Sequence, residues 1–224
     1  MEQDKEQLET RMIEQFADLR GKTVLEIGCG DGRVSGKLAG KAGRYTAIDP
    51  DSQSIEKARS RIDNADLRVG SGERLAFDNA SFDAILFTLS LHHQDSRLAL
   101  AEAHRALKSD GRLVIVEPAI GGEVQSFFDI FRDETDALAN SLKAIEESDF
   151  TAIRSETFRT VWEFDDSEEL FNYCFACHNI PADHRISEKM AGRLGTKKNH
   201  RPLRLEETLN IFLLQKKAIH EDMS

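Results

Sequence analysis

A β-branched apolar run that breaks into closely spaced glycines constrains this chain more than any other feature. Thr23-Val24-Leu25-Glu26-Ile27 gives way to Gly28-Cys29-Gly30-Asp31-Gly32, after which Val34 and Leu38 recur four apart. That is the order strand, glycine turn, helix. Glycines at a strand end remove the β-carbons that would keep a ligand off the backbone, and they permit the tight turn into the helix. The helix then turns its positive end toward the same place. Asp49 closes a second strand, nineteen residues beyond Gly30, where a carboxylate can accept hydrogen bonds from both hydroxyls of a ribose. Together these residues describe a nucleoside-shaped crevice. The dinucleotide fingerprint puts its third glycine three residues after the second; Arg33 holds that position here and the glycine falls one earlier, so NAD fits less well.

The rest of the first half alternates in the same way. Residues 1–20 carry Leu8, Met12, Ile13, Phe16 and Leu19 at helical spacing and predict a charged helix. Strands are expected at 45–49, 67–69, 82–89 and 112–117, with helices after Asp51 or Ser52 and after Ser96. Helices between successive strands call for a mainly parallel sheet covered on both faces. After Gly121-Gly122 the pattern turns helical. Residues 158–164 then alternate like a strand with unlike faces, and 209–214 gives the last strand. One domain spanning 1–224 is expected: an N-terminal helix (1–20), a cofactor-binding core (21–119), cap or substrate segments (120–150 and 165–206) and a final strand (207–218).

At this point the chain resembles the class I S-adenosylmethionine-dependent methyltransferases. Val24 to Gly32 is similar to their first motif, and Ala47-Ile48-Asp49-Pro50 to their ribose-binding segment. Gly72 to Phe77, Ser81-Phe82-Asp83, Leu91-His92-His93 and Leu107 to Leu113 follow in the family's order. The nearest likeness is to the branch containing the quinone-biosynthesis enzymes, which act on small molecules. The resemblance implies a Rossmann-like α/β fold with a seven-stranded, mainly parallel sheet, the last strand antiparallel, and a small helical cap. It implies S-adenosylmethionine as cofactor and S-adenosylhomocysteine as product. Gly28, Cys29 and Gly30 would line the methionine end, Glu26 would order the loop, Asp49 would hold the ribose, and Pro50 would flank adenine. Thr88, Leu89 and His93 would approach the methionine side. Family members often carry an aspartate at position 71 that accepts from the adenine amine. The triplet here is Ser71-Gly72-Glu73, which leaves that contact weaker or supplied by the backbone and Gly72.

Methyl transfer from a sulfonium needs chiefly an in-line nucleophile, and a base only where the acceptor must lose a proton. His92 and His93 are candidates for that base by place and by near-neutral titration, set against a structural or cofactor-packing role. Glu117, ending the fifth strand, either faces the acceptor or orders a loop. A cofactor-binding protein without transfer activity, serving a partner, is the competing reading, prompted by Ser71.

Other signals are weaker. Cys174-Phe175-Ala176-Cys177-His178 has the spacing of covalent haem attachment, but it lacks an export context, and a zinc reading lacks a fourth ligand. Phe171, Cys174, Phe175 and His178 share a helix side, so packing explains them, and no metal site is expected. The basic stretch from Arg193 to Arg204 reads as a solvated loop or a seat for an anionic group. Phe127, Phe128 and Phe131 wall either a core or an apolar acceptor pocket. A net charge of −10 argues against a general affinity for nucleic acid or anionic membranes. The polar start and the three cysteines suit a cytoplasmic protein with no membrane span. The acceptor and the oligomeric state are not legible.

Overall fold

In the computed structural model, which describes residues 1–217, the chain forms two compact units. The larger comprises Thr10–Glu117, Ala139–Glu156 and the chain from Asn210; the smaller comprises Met1–Glu9, Pro118–Leu138 and Thr157–Leu209. The strands are β1 (Glu2–Gln3), β2 (Thr23–Ile27), β3 (Arg44–Asp49), β4 (Asp66–Val69), β5 (Phe82–Thr88), β6 (Leu107–Pro118), β7 (Phe150–Phe164) and β8 (Leu203–Lys216). The helices are α1 (Leu8–Phe16), α2 (Ser35–Leu38), α3 (Ser52–Arg59), α4 (Ser96–Ala106), α5 (Glu123–Phe128), α6 (Thr135–Glu147), α7 (Ser167–Cys177) and α8 (His184–Leu194). Ala218, the end of the expected final segment, lies outside the described residues.

The sheet has the order β1-β7-β8-β6-β5-β2-β3-β4. In the larger unit β2 pairs in parallel with β3 and β5, β3 with β4, and β5 with β6. Lys216 Nζ donates to the Leu107 carbonyl at 2.6 Å, while Ala119 N donates to Thr208 O at 2.9 Å. The end of β8 therefore lies beside the start of β6, and β8 runs antiparallel to it. The central strand β5 is apolar from Ala84 to Phe87 because it is covered on both faces there: Ile85, Leu86 and Phe87 are fully buried. Ile55 and Ala58 of α3 and Leu100 and Ala103 of α4 are buried as well. Burial on this scale contributes about 1.5–3 kcal/mol for each large apolar side chain.

Several details differ from the sequence expectation. The described residues form eight strands rather than seven, the additional one being β1, antiparallel to β7 at Glu2↔Glu163 and Gln3↔Trp162. Residues 1–7 are thus not helical, because the Asp4 carboxylate accepts from Leu8 N and Glu9 N at 2.8 and 2.9 Å and starts α1 there. Asp95 caps α4, accepting from Arg97 N and Leu98 N, while the Ser96 hydroxyl instead donates to Leu91 O. Finally, β6 begins at Leu107, which pairs with Phe82 ahead of a register irregularity that resumes at Ala84↔Arg112. That bulge hides the strand start, because the extra residues break alternation.

The smaller unit has its own core. Phe127, Phe164, Leu170, Cys174, Met190, Leu203 and Leu205 pack together with Trp162. Asp166 caps α7 and Asp183 caps α8, so the stretch from 165 to 204 is largely helical.

Candidate functional site

The glycine loop is held by its own chain. Gly28 N and Cys29 N both donate to Ile48 O at 2.8 and 3.0 Å, Gly30 N donates to Asp49 Oδ2 at 2.8 Å, and Gly32 N donates to Cys29 O at 3.0 Å. These amides are turned into the protein, so they do not converge on an outside anion as the amides of a phosphate cradle do. What the loop offers is exposed main chain without side chains. Gly28 is required twice over: its φ is +77°, and a β-carbon there would stand 2.3 Å from Ser90 Cβ.

Two carboxylates shape the loop. Glu26, fully buried, accepts from Tyr45 Oη at 2.9 Å, from Thr88 Oγ1 at 2.6 Å and from the Ser35 hydroxyl. It thereby ties β2, β3, β5 and α2 together behind the glycines. Burial, and then the Glu26 charge, push the Tyr45 phenol well above its ordinary range. Asp49 at the tip of β3 accepts from Gly30 N through Oδ2 and from Asp51 N at 2.9 Å through Oδ1. Each oxygen keeps a lone pair for a further donor. Burial, reinforced by Glu26 and Asp49, raises the Cys29 thiol far above its usual value, so it stays protonated.

These residues surround a crevice of about 410 Å³ in the larger unit, a volume in the usual range for small-molecule sites. Of the expected residues, Gly28, Cys29, Gly30, Asp49, Pro50, Ser71, Gly72, Thr88, Leu89 and His93 line it. Leu89 does so with φ of +57°, an uncommon conformation for a side-chain-bearing residue. Glu26 stands behind the wall. Glu73 also lies off the lining: its Oε1 accepts from Asp95 N at 2.7 Å. Sequence reasoning passed over Arg33, Ser90 and Gln94, which line the crevice too. Arg33 figured there only as a misplaced glycine, and the other two flank a histidine pair that drew the attention.

His92 and Glu117 form a buried pair away from the crevice lining. His92 Nδ1 lies 2.6 Å from Glu117 Oε2, and the same carboxylate accepts from Leu91 N at 3.0 Å and His92 N at 3.3 Å. The Ser141 hydroxyl is 3.5 Å from it. Glu117 thus fixes the backbone turn that carries His93, whose ring packs on His92 with centroids 3.9 Å apart. Among the three candidates for proton transfer, only His93 reaches the crevice.

Residues 25–115 match the methyltransferase domain family model. An uncharacterized methyltransferase of Mycobacterium tuberculosis is 32% identical over 108 residues, which cover 47% of this chain and 55% of that one. The demethylmenaquinone methyltransferase of Thermotoga maritima is 32% identical over 127 residues, covering 53% and 56%. The chain thus spans about half the length of these curated relatives. Over residues 25–115 the chain is similar to methyltransferase domains. Among solved structures, a Bacillus halodurans protein described as a candidate methyltransferase superposes on this fold with a TM-score of 0.71 at 18% identity, covering 94% of this chain and all (100%) of that one. The geranyl diphosphate C-methyltransferase of Streptomyces coelicolor, solved with S-adenosylhomocysteine, gives 0.61 at 14% identity over 94% and 79%. The matched stretch contains the crevice, the Glu26 hub and the His92–His93 turn. No helix among the described residues is long and apolar enough to cross a membrane.

Proposed function

We propose that the protein transfers a methyl group from S-adenosylmethionine to a small-molecule acceptor. The observation that carries this reading is the loop at 28–32 with the amides of Gly28, Cys29, Gly30 and Gly32 turned inward and the Asp49 carboxylate at its side. Such a floor suits a nucleoside that bears ribose hydroxyls and no phosphate. The names of the relatives point the same way, since those that specify an acceptor specify a small molecule.

When bound, the cofactor supplies an electrophilic methyl group on a charged sulfur, and the rest falls to the chain's own side chains. Asp49 receives the ribose hydroxyls on the lone pairs that its backbone donors leave. Gly28 and Gly30 let the ligand approach the main chain, Pro50 flanks the base, and Thr88 and Leu89 close the methionine side. His93 takes a proton where the acceptor is an alcohol or an acidic carbon; an acceptor that is already nucleophilic needs none. His92 and Glu117 act as positioning residues by holding the 91–93 turn. The net charge of −10 and the three free cysteines, two of them buried, fit a small acceptor and a cytoplasmic setting.

Calorimetry with S-adenosylhomocysteine and with NAD tests this. Saturating S-adenosylhomocysteine at about 100 times its Kd stabilises the fold by about 2.7 kcal/mol, with NAD leaving the melting temperature unchanged. A flat response to S-adenosylhomocysteine would remove the reading. The second reading, a binding module without transfer activity, is favoured by Ser71 where the family often has aspartate. Methyl-labelled cofactor incubated with a panel of acceptors separates the two, because label in any acceptor excludes an inert module.

A further inference from the structure

We infer that Gln94 supplies the acceptor that reads the exocyclic amine of adenine, in place of the carboxylate that position 71 lacks. The inference rests on the adenosyl reading of the crevice given above. Ser71, Gly72 and Gln94 line the crevice together. Ser71 is neutral and short, and its hydroxyl accepts from Glu73 N at 3.3 Å.

Gln94 is oriented by its other end. Its Nε2 donates to the Ser90 carbonyl at 3.1 Å, an atom that can only accept, so the amide oxygen faces the opposite way. Ser90 is itself fixed, being buried with its hydroxyl donating to Ile27 O at 2.6 Å. Oε1 receives no hydrogen bond from any described residue and lies over Gly72. A β-carbon on Gly72 would stand 2.3 Å from Oε1 and 2.7 Å from Ile27 Cγ2. Gly72 is therefore the residue that leaves room for this amide. Glu73 joins the two segments by accepting from Asp95 N at 2.7 Å, next to Gln94. The result is an aimed carbonyl oxygen on the wall shared with Ser71, and its complement is an N–H donor on a flat base. Adenine presents an amine there; hypoxanthine presents an oxygen, which would leave two acceptors facing each other.

The test is calorimetry of the full chain with S-adenosylhomocysteine and with S-inosylhomocysteine, its 6-oxo analogue. The wild type should prefer the adenine compound by about tenfold or more. Gln94→Leu should bring the ratio close to one, mainly by weakening the adenine compound. Ser71→Asp in the Gln94→Leu background should restore the preference. Gly72→Ala, which displaces the amide without removing it, should reduce the ratio as well and serves if Gln94→Leu does not fold. Tight binding of S-adenosylhomocysteine with an unchanged ratio in Gln94→Leu and Gly72→Ala overturns the inference alone. Failure of the wild type to bind either compound overturns the adenosyl reading and this inference with it.

Discussion

At the amino ends of the parallel strands several carboxylates of the larger unit sit against cations. Asp83 lies 2.8 Å from Lys108, Asp66 2.6 Å from Arg68 and Glu102 2.8 Å from Arg105. At the carboxyl ends of the same strands the exposed Asp31 pairs with Arg61 at 2.6 Å, but the carboxylates that shape the crevice and its flanking turn are held by directional donors. Glu26 accepts from three hydroxyls, Asp49 from two backbone amides, and Glu117 from two backbone amides and an imidazole. The first arrangement is half-exposed, screened by salt and tolerant of small displacements. The second is directional, and three of its groups, Glu26, Glu117 and Thr88, are buried, so each loss leaves polar atoms without partners. One end holds the sheet together and the other holds a shape. The lesson is that the groups which must hold a fixed shape around a crevice are set by directional hydrogen bonds, while solvent-tolerant pairs suffice where only the sheet has to be held.

Mutations at the two ends should therefore differ in size and in salt response. Glu26→Ala should cost about 3–5 kcal/mol by urea unfolding, because a hub joining three strands and a helix is emptied and three hydroxyls lose their acceptor. A loss under about 1 kcal/mol would show that the hub is dispensable. Asp49→Ala should weaken S-adenosylhomocysteine by about a hundredfold, from lost charge-assisted bonds to the ribose and a slackened Gly30. Wild-type affinity in that variant would withdraw the ribose assignment. Gly28→Ala should destabilise by about 2 kcal/mol through the positive φ and the Ser90 contact, with only partial recovery when Ser90 is also changed to Gly, because the positive φ strain remains.

The amino end should respond weakly. Lys108→Ala should change stability by about 0.2–1 kcal/mol, and the difference should shrink at high salt. Its pH dependence follows from Asp83, whose carboxyl is held below the usual range by Lys108 first and the Thr23 amide second. A depressed folded-state value means stability that is present above the unfolded carboxylate range near pH 4 and is lost as pH falls through the folded value. Asp83→Asn should lower the melting temperature at pH 7, where the charged carboxylate contributes, and flatten the profile below pH 4, where the wild type loses that contribution. An identical acid limb in the variant would assign that loss to other groups.

How much of this could be read beforehand tracks what each element is asked to do. The glycine loop and Asp49 were legible because a ligand floor imposes residue types at fixed spacing, and β5 because double coverage demands a nearly continuous apolar run. Residues 151–157 of β7 are exposed one after another, so no alternation marks them and the strand seemed to start near Phe158. β1 was hidden inside a charged segment whose spacing imitates a helix until Asp4 is seen to turn the chain. Asp95 and Ser96 both suit a cap, and only backbone dihedrals separate them. Gln94 escaped notice for a related reason: its meaning lies in the missing β-carbon of Gly72, a pairing across the fold that no local pattern records.

The protonated thiol of Cys29 has a chemical consequence for any alkylating guest. Sulfur is the best nucleophile among protein side chains when ionised and a poor one when not. By keeping this one neutral at the floor of a crevice proposed to receive a methyl donor, burial guards the protein against modifying itself, leaving the reactive carbon for an acceptor that arrives from outside.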